Sequence, residues 1–289
     1  MNTNVINNYS KLKSSLFFLP IFFLSLIVVV LSTQDALNTV NYVKIQKGTF
    51  FYINYNLGQY PNFIANLTQI GDTSIFFALL SIFIIKAPKL WEALLSSTIV
   101  AALFSCLLKT IFRVPRPHEV YDDSSFIIIG KKAIGFASLP SGHSITVFTT
   151  LTVLLFAFMP KMLKYKILWI FTIIILGLAI AFTRVGVGAH HPLDVIIGSI
   201  IGYISGLLGI FVIIKYKIFA WINNKKYYPI FIVLMLSCSI SLIYKIMYEN
   251  LVIYYLTLIC LLISLYKITY VYLKKYFKNN SFRFINESA

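Results

Sequence analysis

The amino-acid sequence predicts an all-α, polytopic transmembrane helical bundle. Of its 289 residues, 59% are hydrophobic and only 12% are charged, whereas a soluble domain carries about 25% charged residues. The hydrophobic residues are gathered into runs close to the roughly 20 residues that one helix needs to cross a bilayer. These observations argue against a soluble globular enzyme and predict about eight transmembrane helices.

The predicted spans follow one another along the chain, most of them with short connections. The first, 15–33, follows Lys11 and Lys13, and its long apolar run favours an uncleaved anchor over a cleaved signal peptide. Residues 34–62 then form an exterior loop with room for one interfacial helix. The other spans are predicted at 73–86, 91–112, 142–160, 167–185, 193–214, 229–247 and 251–272.

The net charge of +16 is better explained by a membrane than by nucleic acid. Most of the 25 lysines and arginines flank apolar segments, and such cations concentrate on the cytoplasmic side of membrane proteins. An even number of spans puts both termini on one side, and the larger share of cations falls on that side. The sequence therefore predicts cytoplasmic termini and no nucleic-acid partner.

The first group of polar residues closes the third span. Lys109 lies near its end, and Pro115 and Pro117 terminate the helix and hold the residues around them extended. Arg116 is thereby fixed between two prolines. Cations at a membrane rim also simply reach toward water, so this group alone leaves both interpretations open.

The second group, Pro140-Ser141-Gly142-His143, opens the fourth span. A helix N-terminus presents free N–H groups and the positive end of the helix dipole, which together bind phosphate. Gly142 lets an anion approach the backbone, Ser141 adds a hydroxyl donor, and His143 exchanges a proton near neutral pH. A serine N-cap beside an interfacial histidine is the structural alternative.

The third group runs from Thr183 to Asp194, between the fifth and sixth spans. Pro192 suits the first turn of a helix, which puts Asp194 inside that turn and His190 just before it. Residues four apart share a helix face, and a base that contacts an imidazole prepares it for nucleophilic or acid–base chemistry. Arg184 offers a fork of donors that suits phosphate oxygens. The alternative is that Asp194 only caps its own helix.

Alternating span directions bring the three groups to one face of the bundle. The end of the third span, the start of the fourth, the end of the fifth and the start of the sixth lie on that face. All 4 histidines of the chain fall within 118–191. If the polar residues of the motifs were only unrelated helix caps and rim cations, this clustering would not be expected. Convergent cations, helix N-termini and paired histidines therefore predict a site that does chemistry on a phosphate group.

These motifs resemble those of the type 2 phosphatidic acid phosphatase (PAP2) superfamily of integral membrane lipid phosphatases. The family's K-x6-R-P motif is matched from Lys109 to Pro117, and its P-S-G-H motif from Pro140 to His143. Its S-R-x5-H-x3-D motif is matched by Arg184, His190 and Asp194, with Thr183 in place of the usual serine. The resemblance covers roughly residues 60–215.

The resemblance implies a role for each matched residue. His190 attacks phosphorus to form a phosphohistidine, Asp194 orients its imidazole, and His143 protonates the leaving oxygen. The implied phosphate-binding residues are Lys109, Arg116, Ser141, Gly142 and Arg184. No cofactor or metal is implied, because these cations neutralise the charge of the transition state.

A zinc site is an alternative use of the same region, since His143, His190, His191 and Asp194 are suitable ligands. The surrounding cations would repel a dication and so disfavour zinc binding.

Among the other polar residues, we interpret Asp72 as a helix cap and His191 as an interfacial or supporting residue. His118 is assigned to a solvated loop, 118–139, over the site.

The predicted domain organisation has four parts. Residues 1–62 hold the anchor span and exterior loop, and 63–216 form a six-helix, PAP2-like catalytic core. Residues 217–272 form two additional C-terminal transmembrane helices, and 273–289 form a basic cytoplasmic tail.

We expect a phosphatase that hydrolyses a lipid-linked phosphate or pyrophosphate at the periplasmic or extracellular face of a bacterial cytoplasmic membrane. Candidate substrates are undecaprenyl pyrophosphate, lipid A phosphates, phosphatidate and phosphatidylglycerophosphate, because the matched residues contact only the phosphoryl group. The alternatives are a lipid phosphotransferase and a non-enzymatic lipid or anion transporter. The expected partners are the phosphorylated lipid and the bilayer, and the sequence specifies no oligomeric state.

Overall fold

The computed structural model describes residues 1–287, with side chains to Lys274, and every regular element in this part is helical. The helices are α1 (Asn2–Tyr9), α2 (Phe18–Thr33), α3 (Thr39–Gly58), α4 (Pro61–Gln69), α5 (Thr73–Leu80), α6 (Pro88–Phe112), α7 (Pro117–Val120), α8 (Gly142–Ala157), α9 (Leu163–Gly186), α10 (Pro192–Tyr216), α11 (Tyr228–Glu249) and α12 (Val252–Glu287). The predicted all-α bundle is confirmed.

In the described part of the chain, six helical stretches are long and apolar enough to cross a membrane, and each corresponds to a predicted span. They are Ser14–Thr33, Pro88–Glu119, Leu163–Gly186, Pro192–Tyr216, Lys225–Glu249 and Val252–Lys274. Helix α12 continues past the predicted end at 272 to Glu287, so its backbone includes most of the predicted basic tail. The last two residues of that tail lie outside the described part of the chain.

The remaining two predicted spans differ from full-length helices. The span predicted at 73–86 is one half of a broken pair, Pro61–Gln69 and Thr73–Phe83, which meet at 72°. The break lies at Asp72, whose carboxylate accepts from the backbone N–H of Ser74 over 2.8 Å and so begins a new helix.

The other exception is α8, predicted at 142–160, which has only 16 residues and ends before Pro160. It packs against α6, α9 and α10, and most of its residues are buried. A helix surrounded by other helices in this way need not match the length that a lipid-facing helix requires.

Small residues let α10 pack tightly against α8. A Cβ added to Gly202 would lie 2.5 Å from the carbonyl oxygen of Ile145, and one added to Gly198 would lie 2.8 Å from that of Ser141. Glycines four residues apart on one face allow such close helix contact in membranes. The contact matters for function because it fixes the start of α8 against the start of α10.

The predicted exterior loop is largely helical. Residues Tyr42, Gln46, Phe50 and Asn54 recur every four residues along α3, and all four are buried. This face packs against α9, and the amide of Asn54 donates to the carbonyl oxygens of Val185 and Gly186 over 3.1 Å. Helix α3 is therefore joined to the end of α9, where predicted site residues lie.

Both ends of the described chain extend toward the same end of the bundle. The amide of Asn8 donates to the carbonyl oxygen of Ala157, at the end of α8. Helix α12 starts at the opposite end, where the N–H of Ile253 donates to the side chain of Asn66, and then runs back. Helices α11 and α12 pack on each other and on α5, forming a second apolar cluster beside the central helices.

Candidate active site

The four helix ends that the sequence predicts to converge meet at one end of the bundle. The N–H of Ser141, at the start of α8, donates to the carbonyl oxygen of Asp194 in α10 over 3.0 Å. The ammonium of Lys109, from the end of α6, lies 3.3 Å from the position that a Cβ on Gly142 would occupy. The structure thus brings members of all three motifs into one region.

His190 and Asp194 form a buried pair, as the four-residue spacing predicts. Nδ1 of His190 lies 3.8 Å from Oδ2 of Asp194, and the two side chains are 2% and 0% exposed. This distance is longer than a hydrogen bond. The hydroxyl of Ser138 lies beside both groups, donating to Oδ2 of Asp194 over 2.6 Å and lying 3.4 Å from Nδ1 of His190.

Asp194 is held from several directions. The hydroxyl of Tyr42 donates to its Oδ1 over 2.9 Å, and the backbone N–H of His191 donates to its Oδ2 over 2.9 Å. Asp194 therefore caps its own helix and also contacts His190, so the two interpretations of this residue are compatible. Tyr42 and Ser138 were not identified from the sequence. Tyr42 lies 152 residues from Asp194 along the chain, and Ser138 precedes the second motif by two residues and is not part of it.

Burial sets the protonation state of His190. Removal from water disfavours the imidazolium and lowers the pKa of His190 to about 3, although the contact with Asp194 acts in the opposite direction. The positive charges of Arg116 and Arg184 also lower the pKa. The imidazole is therefore neutral near pH 7, which is the form that a nucleophile requires.

Two guanidinium groups lie beside this histidine and are only partly bonded. Arg116 donates from Nη1 to the carbonyl oxygen of Ala189 over 3.2 Å, and Arg184 donates from Nη1 to the hydroxyl of Thr68 over 3.1 Å. The Nε atoms of both arginines are buried without a partner among the described residues. Buried donors normally have partners, so the pair fits an anion bound between them.

The start of α8 supplies the remaining predicted residues. Ser141 is buried, and its hydroxyl oxygen accepts from the hydroxyl of Ser144 over 2.9 Å and caps the helix. His143 packs against the bend between α4 and α5, where a Cβ on Gly71 would lie 3.1 Å from its ring. It lies within electrostatic range of Arg184 and His190.

His191 supports the site without facing it. Its Nε2 lies 3.2 Å from the carbonyl oxygen of Pro115, and its ring packs against Phe50 and Tyr121. His191 thereby connects the α6 end to the start of α10.

The loop over the site is held together by an ion cluster. Asp123 pairs with both His118 and Lys132, and these two contacts lower the pKa of the Asp123 carboxyl. The loop that contains His118 is mostly exposed or half-buried, as expected of a solvated loop, but the His118 side chain is only 3% exposed and packs against Phe126.

Within residues 1–274, whose side chains the structure describes, no cluster of three or more His, Cys, Asp or Glu side chains is arranged to hold a metal ion. The positive charges at the site come from protein side chains, so its donors suit an anion rather than a cation.

Residues 90–219 match the sequence model of the PAP2 superfamily. The chain is 34% identical over 110 residues to a lipid A 1-phosphatase of Rhizobium etli and 36% identical over 115 residues to a lipid A 1-phosphatase of Rhizobium johnstonii. These alignments cover 38% and 39% of this chain, and 44% and 43% of the relatives, which is less than half of either.

A crystal structure of Aquifex aeolicus LpxE is also similar. It has 26% sequence identity and a TM-score of 0.47, and the match covers 57% of this chain and 93% of that one. The range matched by the family contains all three motifs, from Lys109 to Asp194. Residues 90–219 of this chain are therefore similar to the PAP2 superfamily.

Proposed function

We propose that the chain is a membrane lipid phosphatase that hydrolyses a lipid-linked phosphate through a phosphohistidine on His190. The observation that carries the proposal is a buried His190–Asp194 pair beside two guanidinium groups with unpartnered Nε donors. Phosphoryl oxygens would satisfy those donors, and the neutral imidazole supplies an electron pair to phosphorus. The match of residues 90–219 to the PAP2 superfamily supports the same reaction class.

In the first step, Nε2 of His190 attacks phosphorus, because Nδ1 faces Ser138 and Asp194. The bond between phosphorus and the lipid oxygen breaks, and the departing oxygen takes a proton from His143, which enters the step as the imidazolium because the bound phosphate anion favours that form. Asp194 stabilises the positive charge that develops on the imidazole. Lys109, Arg116, Arg184 and the N-terminus of α8 stabilise the phosphoryl oxygens.

In the second step, water attacks the phosphohistidine. His143 accepts a proton from that water, and the P–N bond breaks. Inorganic phosphate leaves, and both histidines return to their starting protonation states. No metal is needed in either step, because the cations of the chain neutralise the phosphoryl group.

The substrate class follows from the membrane setting and the relatives. A phosphate on a lipid headgroup can enter a polar site at a bundle end while its tails stay in the bilayer. The two relatives named as lipid A 1-phosphatases make a phosphorylated glycolipid of that class the first candidate, ahead of undecaprenyl pyrophosphate, phosphatidate and phosphatidylglycerophosphate. Lysines near the opposite bundle end favour placing the site outside the cytoplasm.

The test is phosphate release by the purified full chain in detergent, with a panel of these lipid phosphates. We expect release from at least one lipid, unchanged by exhaustive chelation, and no release by His190→Asn. A reaction with ³²P-labelled lipid, quenched in alkaline denaturant that preserves the P–N bond, should leave label on the wild-type chain only.

Other outcomes would contradict the proposal in distinguishable ways. Label transferred to a second lipid, with none in solution, would identify a phosphotransferase. Lipid affinity without release at any pH would identify a binding protein or transporter. Substantial turnover by His190→Asn would exclude the phosphohistidine mechanism.

A further inference from the structure

A cavity of about 1230 Å³ lies between the N-terminal segment, α2, α8, α9 and α10. Its wall is largely apolar and includes Phe23, Leu155, Ile174 and Ile200. It is larger than the roughly 300–1,000 Å³ of a usual small-molecule pocket. None of the residues assigned to the phosphatase reaction lines it.

Four lysines line one end of this cavity: Lys11, Lys13, Lys161 and Lys166. No acidic residue lines the cavity, and none of the four lysines forms an ion pair within the described residues. Two of them precede α2, and the other two flank the start of α9, whose far end carries Arg184. This lysine rim is therefore at the opposite end of the bundle from the candidate active site.

The length of the cavity matches one leaflet of a bilayer. Along α9 its wall runs from Lys166 to Leu178, which at 1.5 Å per residue is about 18 Å. Half of a hydrocarbon core of about 30 Å is roughly 15 Å. Acyl chains that start at the lysine rim would therefore fit within the apolar part.

The N-terminal segment closes the lysine end of the cavity and is fixed to the bundle. The amide of Asn8 donates to the carbonyl oxygen of Ala157 over 3.0 Å, and the hydroxyl of Tyr9 donates to that of Val153 over 3.1 Å. Asn8 itself lines the cavity. The lysine rim is thus built on an anchored segment rather than on a free tail.

We propose that this cavity binds one anionic phospholipid from the leaflet opposite the active site. Its phosphodiester headgroup lies among Lys11, Lys13, Lys161 and Lys166, and its acyl chains lie along the apolar walls. Charge complementarity and the one-leaflet length identify the ligand. Binding here is separate from the proposed phosphatase reaction, because it needs neither His190 nor a phosphomonoester.

Native mass spectrometry of the delipidated full chain tests the proposal, with phosphatidylglycerol and phosphatidylcholine as probes and saturating inorganic phosphate to occupy the active site. We expect one tightly bound phosphatidylglycerol and weaker binding of phosphatidylcholine. The fourfold variant K11Q/K13Q/K161Q/K166Q should lose on the order of tenfold or more in phosphatidylglycerol affinity, because basic residues attract anionic headgroups. Equal affinity in the variant, or no preference between the lipids, would overturn the proposal.

Matched variants separate this site from general surface charge. K86Q/K215Q/K217Q/K225Q removes four lysines at the same bundle end that do not line the cavity, and it should retain the bound lipid. Ile174→Trp should narrow the apolar part and reduce binding. Ile175→Trp should not, because Ile175 lies on the same helix outside the cavity wall. Loss of lipid in both control variants would assign binding to the bundle surface instead.

Discussion

The hydroxyl of Tyr42 donates a hydrogen bond to Oδ1 of Asp194 over 2.9 Å, and both residues are buried. Tyr42 belongs to α3, which lies outside the range 90–219 that matches the PAP2 superfamily. The carboxylate proposed to orient His190 is therefore held partly by an element outside that match. Burial and the neighbouring carboxylate raise the pKa of Tyr42, so this hydroxyl keeps its proton and remains a donor.

Tyr42→Phe should lower kcat while leaving the fold intact. A hydrogen bond to a charged group contributes about 1.5–3 kcal/mol, and about 1.4 kcal/mol corresponds to a tenfold change in rate. We therefore expect at least a roughly tenfold loss of phosphate release. Tyr52→Phe is the control, because Tyr52 is 72% exposed on the same helix. An unchanged kcat in Tyr42→Phe would mean that Ser138 and the His191 N–H suffice to hold Asp194.

Arg184→Lys should reduce turnover although it keeps the positive charge. The guanidinium of Arg184 donates to Thr68 through Nη1, and its Nε has no partner among the described residues. A lysine side chain lacks this planar fork of donors. Losing one donor to a developing oxyanion costs about 10²–10³ in kcat in other enzymes, and we expect a loss near the lower value. Arg113→Lys, at an exposed helix end, should remain active. Equal activity of the two variants would show that charge alone is needed.

The low pKa of His190 predicts a pH dependence of stability. Its value is about 3 in the folded protein against an ordinary 6.5, so the unfolded chain binds more protons between these two values. The free energy of unfolding should therefore fall as pH decreases from about 6.5 toward 3. Thermal unfolding in detergent at about pH 7.5 and about pH 5 should show a smaller decrease for His190→Asn than for wild type. Equal decreases would mean that His190 is protonated in the folded state.

The three motifs could be placed from the sequence because their positions depend on local rules. Proline and glycine fix the helix ends, alternating span directions put those ends on one face, and a spacing of four residues brings His190 to Asp194. The structure brings these residues together at one end of the bundle. Their roles in catalysis stay predictions.

The residues that support the motifs could not be found in this way. Tyr42 and Thr68 contact the site across separations of 152 and 116 residues. Helix α3 also has an unusual pattern, because its polar residues Gln46 and Asn54 are buried while Val40 is 75% exposed. Those polar side chains bond to backbone groups of the α9–α10 region, so amphipathic periodicity does not identify the buried face.

The break between α4 and α5 offers a test of how the C-terminal helices are joined to the site. Asp72 caps α5 through Ser74, and its other oxygen pairs with Lys245 of α11 at 3.2 Å. Asp72→Asn keeps a capping side chain and removes the ion pair, as Lys245→Gln does from the other side. Because the two side chains are 32% and 28% exposed, each variant should lower the free energy of unfolding by less than about 1 kcal/mol.

Asp72→Ala removes the cap as well, and should cost about 1 kcal/mol more than Asp72→Asn. Thermal unfolding in detergent compares the stabilities of these variants. The double variant Asp72→Asn/Lys245→Gln should be no less stable than the less stable of its two single variants, because both remove the same ion pair. If Asp72→Ala and Asp72→Asn unfold at the same temperature, the cap does not stabilise α5. The 72° bend beside His143 would then depend on the packing of α4 and α5 against their neighbours.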